Sequence, residues 1–269
     1  MGQLNQEVIW QKRLGRKAWI VWGGWFATLV LSIYCWKLMT QDTMWIFVLD
    51  APTQAADLIS RMFPPRWEYI HQLYRALWDT LNIATLGTIL GVIMAFPVAF
   101  LAARNTTPSM LFVRPIALFI IVASRSINSL IWALLLVAIL GPGVLAGILA
   151  IALRSIGFVA KLLYESIEEI NPTSVEALEA TGGSRMQVID YAILPQILPA
   201  FLGISIFRWD INIRESTILG LVGAGGIGLY LSSSLNVLAW PQVTLIILVI
   251  LGTVVVSESI SAKVRKMLI

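Results

Sequence analysis

Cysteine and histidine are almost absent. The 269 residues hold one of each, Cys35 and His71, so no disulfide framework can staple the chain and no His/Cys metal constellation can form within it. Charge is scarce too: 13% of residues are Asp, Glu, Lys or Arg, against 58% hydrophobic. Soluble domains carry about 25% charged residues, and a mean hydropathy of +0.82 excludes an ordinary cytosolic enzyme. There is no G-x-x-x-x-G-K-[ST], so this chain cannot cradle the phosphates of a P-loop nucleotide. Nineteen Lys and Arg against fifteen Asp and Glu give a net charge of +4. The cations are scattered or sit at the edges of apolar runs, without the one-face cluster that nucleic-acid binding requires.

What is present is apolar run after apolar run. A hydrocarbon core about 30 Å thick takes roughly 20 helical residues. Six segments meet that length, approximately 18–36, 77–102, 115–140, 144–164, 197–221 and 241–260, which predicts an all-α membrane protein of six transmembrane helices. Gly141-Pro142-Gly143 separates the third from the fourth. Gly frees φ and Pro cannot extend the helix ladder, so these two should form an antiparallel hairpin. The first run is too long and aromatic for a signal peptide, and Tyr34-Cys35-Trp36-Lys37 is a poor cleavage site, so it is read as a retained anchor.

Lys and Arg then orient the chain. With the N-terminus inside, Lys12, Arg13, Arg16, Lys17, Arg104, Arg114, Lys161, Arg185, Lys263, Arg265 and Lys266 are cytoplasmic, and Lys37, Arg61, Arg66 and Arg75 are outside. This positive-inside asymmetry places both termini in the cytoplasm. The expected organisation is a cytoplasmic N-terminus and first anchor over 1–37, an outer loop over 38–76, a five-helix core over 77–262 and a basic cytoplasmic tail over 263–269. The outer loop should contain one short amphipathic helix, Thr53 to Met62, ended by Phe63-Pro64-Pro65.

The inner segment 165–195 is acidic, with Glu165, Glu168, Glu169, Glu176, Glu179 and Asp190. That opposes the usual cytoplasmic pattern and suggests a docking surface. Pro172 suits a helix's first turn, Thr173 or Ser174 can cap it, and Gly182-Gly183 breaks it. A second short helix, Met186 to Ile193, leads back to Pro195. The whole reads either as a solvated connection or as a compact knob.

Glu176-Ala177-Leu178, then Gly182 after three residues, then Leu194-Pro195 closing thirteen residues after that glycine, resembles the EAA loop in permease subunits of binding-protein-dependent, type I ABC importers. Leu178 replaces the second alanine of that pattern and Ala192 stands where isoleucine is usual. Thr85-Leu86-Gly87-Thr88, the stretch Ala99 to Asn105 and the stretch Arg208 to Gly228 resemble the phosphonate importer permeases, over roughly three quarters of the chain. The resemblance implies a bacterial inner-membrane subunit, not itself an enzyme, that imports phosphonate, phosphite or phosphate. It implies a homodimer of permeases with two ATP-binding cassette subunits and a periplasmic or external phosphonate-binding protein. ATP and Mg would be bound by the partner ATPase and no cofactor by this chain. Coupling to the ATPase would fall to Glu176, Ala177, Leu178, Glu179, Gly182 and Gly183.

Ionisable residues inside spans cost about 2.5–3.5 kcal/mol each and mark functional positions. At 100° per residue, Arg208, Asn212 and Glu215 share one stripe of the fifth span, while Asp210, Arg214 and Thr217 share a nearly opposite one. They cannot all line one path. Asp210 with Arg214, and Arg208 with Glu215, can pair inside the bundle. Alternatively one stripe faces a substrate path, where a guanidinium matches the oxygens of a phosphorus oxyanion; Arg214 then suits contact with the anion and Arg208 a structural role. Ser124, Arg125, Ser126 and Asn128 near the middle of the third span either solvate an anion or bond neighbouring helices. Arg154 and Asp79 are possible partners for these groups.

Gly223 to Gly228 matches G-x-G-x-x-G in form but lacks the strand and later acidic residue of a dinucleotide fold, so it is read as a turn or close packing site. The rival reading is an ion-coupled secondary transporter or anion channel, for which the acidic knob has no evident use. A membrane-embedded enzyme would need a nucleophile, base or metal cluster that this composition hardly supplies.

Overall fold

The computed structural model describes residues 16–41 and 43–268; the expected inner cations Lys12 and Arg13 lie outside them. Among the described residues every regular element is helical. The chain divides into two units, one ending at Asp57 and one of Leu58–Ile269.

The first unit holds α1 (Arg16–Thr40) and the start of α2 (Trp45–Met62). α1 has no internal proline, and its hydroxyls return to its own backbone: Thr28 donates to Gly24 O at 2.9 Å and Ser32 to Thr28 O at 2.8 Å. That satisfies both of these hydroxyls within the helix itself. α2 is longer than the expected Thr53–Met62. Pro52 lacks the N–H of a regular helix interior, yet the helix runs through that position.

The second unit contains α3 (Ile70–Ala102), α4 (Val113–Ser126), α5 (Ser129–Leu140), α6 (Val144–Glu168), α7 (Pro172–Ala180), α8 (Arg185–Val188), α9 (Leu194–Leu219), α10 (Ile227–Asn236) and α11 (Trp240–Leu268). α3 and α6 pack together at its centre. Small residues make this possible: a Cβ on Gly87 would fall 2.7 Å from Ile151 Cγ2, and one on Gly91 would fall 2.6 Å from Ser155 Cβ. Without a hydrophobic driving force between helices in lipid, such close backbone approach supplies the van der Waals contact that holds a bundle.

The third apolar run is not one straight helix. α4 stops at Ser126, Ile127 is extended (φ −96°, ψ 128°), and α5 leaves at 89°. The cause is local chemistry: Asn128 Oδ1 accepts from the Leu130 N–H at 3.2 Å and starts a new helix within the apolar stretch. Among the described residues, by length and composition, five helices can cross a membrane, and six if the bent pair is one span. α5 and α6 do form the expected reversal through 141–143 and pack on each other. Its Gly143 N–H donates to Gly223 O at 3.0 Å, where the α9–α10 junction is compact enough that a Cβ on Gly228 would lie 2.1 Å from Thr217 O. This is the close packing expected of that glycine cluster.

Candidate functional site

Two features stand out, a knob between α6 and α9 and a polar network along α9. α7 is capped by Asn171, not by Thr173 or Ser174: Asn171 Oδ1 accepts from the Thr173 N–H at 3.0 Å, with Pro172 in the first turn. The reason is register, since Pro172 already has helical geometry and the residue before a proline is extended. Gly182 ends the helix with φ +81°, a conformation that L side chains rarely adopt, and donates to Glu179 O at 2.9 Å.

The expected helix Met186–Ile193 is instead the short α8, with a Ser184–Gln187 capping box, followed by a π-helical turn over Ile189–Ile193. Gln196 ties the knob to α9 by accepting from Asn171 N at 3.0 Å and donating to Ala192 O at 2.8 Å. Val175 and Leu178 pack against the core, whereas Glu176, Ala177, Glu179 and Gly182 are exposed, with Gly183 half-buried. The root is fixed as well. Glu168 accepts from Arg104 N at 2.9 Å and faces Arg114 at 3.4 Å, and Asn105 donates to Ile167 O at 2.6 Å.

On α9 the two stripes resolve as the helical angles require. Arg208 is fully buried. Its Nε–H donates to Ser155 Oγ at 3.0 Å, and Nη1 and Nη2 reach Glu215 Oε1 and Oε2 at 3.5 and 3.3 Å. Phe158 lies under the guanidinium at 5.1 Å. Asn212 donates to the same Ser155 Oγ at 3.0 Å and to Thr88 Oγ1 at 2.7 Å. This stripe therefore ties α9 to α6 and α3, as a buried cation needs. Arg154 of α6 also faces Glu215, at 3.3 Å.

On the other stripe Arg214 pairs with Asp210, whose Oδ1 accepts from Ser257 of α11 at 3.1 Å. The pair is lopsided, the Arg214 side chain being 46% exposed and that of Asp210 5%.

The α4 group is mostly committed to helix packing. Ser124 Oγ accepts from the Gly157 N–H at 2.9 Å and donates to Leu153 O, inserting between two α6 groups that stand one α-helical bond apart. Ser126 donates to Val122 O at 2.8 Å in its own helix, and Asn128 caps α5. Arg125 is exposed and makes no ion pair among the described residues, and neither does Asp79.

Arg208 and Asn212 are thus brought together with Glu215, while Arg214 faces elsewhere and Arg125 stands on another helix. Ser155 and Ser257 escaped the sequence reading. Neutral hydroxyls in apolar helices carry no charge signal, although a serine in a run of small residues on a spanning helix marks a packing face.

Along this network ionised groups tie helices together, and an acidic knob packs Val175 and Leu178 on the core while exposing Glu176 and Glu179. This is the construction of a membrane transport subunit. Residues 87–266 match the family described as binding-protein-dependent transport system inner membrane component, and the chain belongs to it. It falls among the phosphonate-type permeases of type I ABC importers. The phosphite transport system permease protein PtxC of Stutzerimonas stutzeri is 38% identical over 257 residues, covering 96% of this chain and 90% of that protein. The phosphate-import permease protein PhnE of Mycolicibacterium smegmatis is 38% identical over 222 residues, 82% of this chain and 42% of that one. The fold is shared with a chain of the inward-facing MetNI methionine ABC transporter, at TM-score 0.66 and 20% identity over 76% of this chain and 99% of that one.

Proposed function

We propose that this permease is the membrane path of an ATP-driven importer of phosphonate, phosphite or phosphate in a bacterial cytoplasmic membrane. It works as a homodimer with two ATP-binding cassette subunits, which bind ATP and Mg, and with an external binding protein that delivers the anion. The chain itself binds no cofactor. It crosses the membrane six times, with α4 and α5 as one broken span and both termini in the cytoplasm. The observation that carries this reading is the 38% identity, over almost the whole chain, to a permease named for phosphite transport.

The exposed face of α7, with Glu176, Ala177 and Glu179, seats in the ATPase, while Leu178 and the Gly182-Gly183 hinge hold it at a fixed angle. Closure of the ATPase pair on ATP draws the two knobs together. Because each knob is anchored at both ends, through Glu168 and through Gln196, α6 and α9 follow it, and the path switches from inward-facing to outward-facing. Hydrolysis resets it and releases the anion inward. Along the path, the exposed guanidiniums Arg125 and Arg214 meet the anion, with Ser126 and Asn128 beside Arg125; Arg208, Asn212 and Ser124 hold the surrounding frame.

Reconstitution with the ATPase and binding protein tests this reading. Uptake of a phosphorus oxyanion that requires ATP and the binding protein is the expected result; uptake driven by an ion gradient without ATP would overturn it.

A further inference from the structure

We infer that the permease has an oxyanion-binding site of its own, resting on the importer reading above, and that its principal donors are Arg154 and Arg125 at the break between α4 and α5. Arg154 differs from the other arginines of the bundle in what it leaves unused. Arg208 is fully buried with Nε, Nη1 and Nη2 all bonded, and Arg214 is held by Asp210. Arg154 makes two long contacts, Nε to Glu215 Oε1 at 3.3 Å and Nη1 to Ile127 O at 3.5 Å, and its side chain is 29% exposed. Strong charge-assisted bonds are about 2.7–2.9 Å, so these contacts position the guanidinium without saturating it.

The second cation, Arg125, springs from the same break between α4 and α5. Arg125 lies two residues before Ile127, the residue whose carbonyl Arg154 reaches. Its Cγ is 2.8 Å from where a Cβ on Gly157 would be, one turn along α6 from Arg154. The bare face of Gly157 is what lets α4 come this close, with Ser124 Oγ bonded to its N–H. Glu215 pairs with both Arg154 and Arg208, while Arg125 has no ion pair among the described residues. Arg154 and Arg208 therefore share one carboxylate, one positive charge in excess, and Arg125 at the end of α4 adds a third cation without a carboxylate partner among the described residues.

Depth makes that imbalance informative. Arg154 is ten residues from the start of α6, about 15 Å along its axis, so it stands far from either end of a spanning helix. An unneutralised cation there is costly unless an anion visits it. A tetrahedral phosphorus oxyanion carries the missing charge and presents paired oxygens that fit the planar donor fork of arginine. Glu215, 18% exposed, is the internal carboxylate against which the anion competes for Arg154, which favours release over retention.

The test uses the whole complex of permease, ATPase and binding protein in proteoliposomes, with labelled phosphite as probe. Arg154→Gln and Arg125→Gln are each expected to lower initial uptake by about tenfold or more, the effect of one lost charge-assisted hydrogen bond. Complex assembly and the stimulation of ATP hydrolysis by liganded binding protein should persist, and Arg154→Lys should restore part of the uptake. Wild-type uptake in both Gln variants overturns the site. So does loss of assembly and ATP hydrolysis together with uptake in Arg154→Gln and Arg154→Lys while Arg125→Gln transports normally, which leaves Arg154 as support for Glu215. A defect that follows the anionic-lipid content of the liposomes and ignores phosphite concentration assigns the arginines to a lipid phosphate and also overturns it. If the wild-type complex takes up phosphite, phosphate and methylphosphonate without ATP or not at all, the importer reading fails and the site falls with it.

Discussion

Arg208 and Glu215 stand seven residues apart on α9 and meet through both terminal guanidinium nitrogens, at 3.3 and 3.5 Å. Two helical turns bring them to the same stripe, so the pair is local to one helix, yet it organises three. Ser155 Oγ accepts from Arg208 Nε–H and also from Asn212, whose amide donates to Thr88 Oγ1 as well. Removing Glu215 strands a buried cation. Glu215→Gln should therefore destabilise the permease by about 3–5 kcal/mol, and Ser155→Ala by about 1–3 kcal/mol. Thermal unfolding in detergent, followed by size-exclusion chromatography, measures both; equal and small effects would contradict this ordering.

The Asp210–Arg214 pair separates two roles of one arginine. Arg214→Gln leaves the 5%-exposed Asp210 side chain without its cation and should impair assembly. The double variant Asp210→Asn/Arg214→Gln removes both charges and should restore assembly. If Arg214 also meets the anion, the restored complex still transports poorly; recovery of uptake together with assembly would confine Arg214 to pairing.

Small residues between α3 and α6 give a third expectation. A Cβ on Gly91 would lie 2.6 Å from Ser155 Cβ and 3.0 Å from Ala152 O, so Gly91→Ala must push α6 away and disturb the Ser155 bonds. Gly203, in α9, has nothing within 4 Å of an added Cβ. Gly203→Ala should stabilise the helix by about 1 kcal/mol, while Gly91→Ala should cost about 1–3 kcal/mol, the usual penalty of overpacking. Melting temperatures of the two variants decide the matter.

The apolar helices, the α5–α6 reversal and the two α9 stripes are legible in the sequence alone, because helical spacing decides which charges share a face. The break at Ser126–Ser129 falls in the polar stretch Ser124–Ser129 between two strongly apolar segments; Asn128 beside Ser129 is the visible cap signature, outweighed by the hydropathy of the flanks. Asn171 is overlooked as the α7 cap because two hydroxyl residues after Pro172 offer the more familiar signal. The bonds from Arg208 to Ser155, Asn212 to Thr88 and Arg154 to Glu215 join separate helices, and one sequence does not encode which faces meet.

The knob offers a test of coupling in isolation from substrate. Gly182→Pro cannot adopt φ +81°, since proline fixes φ near −65°, and Glu176→Lys inverts the charge on the exposed face of α7. Both variants should insert normally, and ATP hydrolysis should no longer drive uptake. Normal transport in both would remove the knob from the mechanism.

The most direct measurement is ATP hydrolysis by the permease–ATPase complex in lipid nanodiscs with the binding protein, comparing phosphonate, phosphite, phosphate and no anion. An importer permease predicts that one liganded binding protein raises the hydrolysis rate above the unliganded one, and that the increase disappears with Glu176→Lys. A permease that never associates with the ATPase, or a rate indifferent to the liganded binding protein, would contradict it.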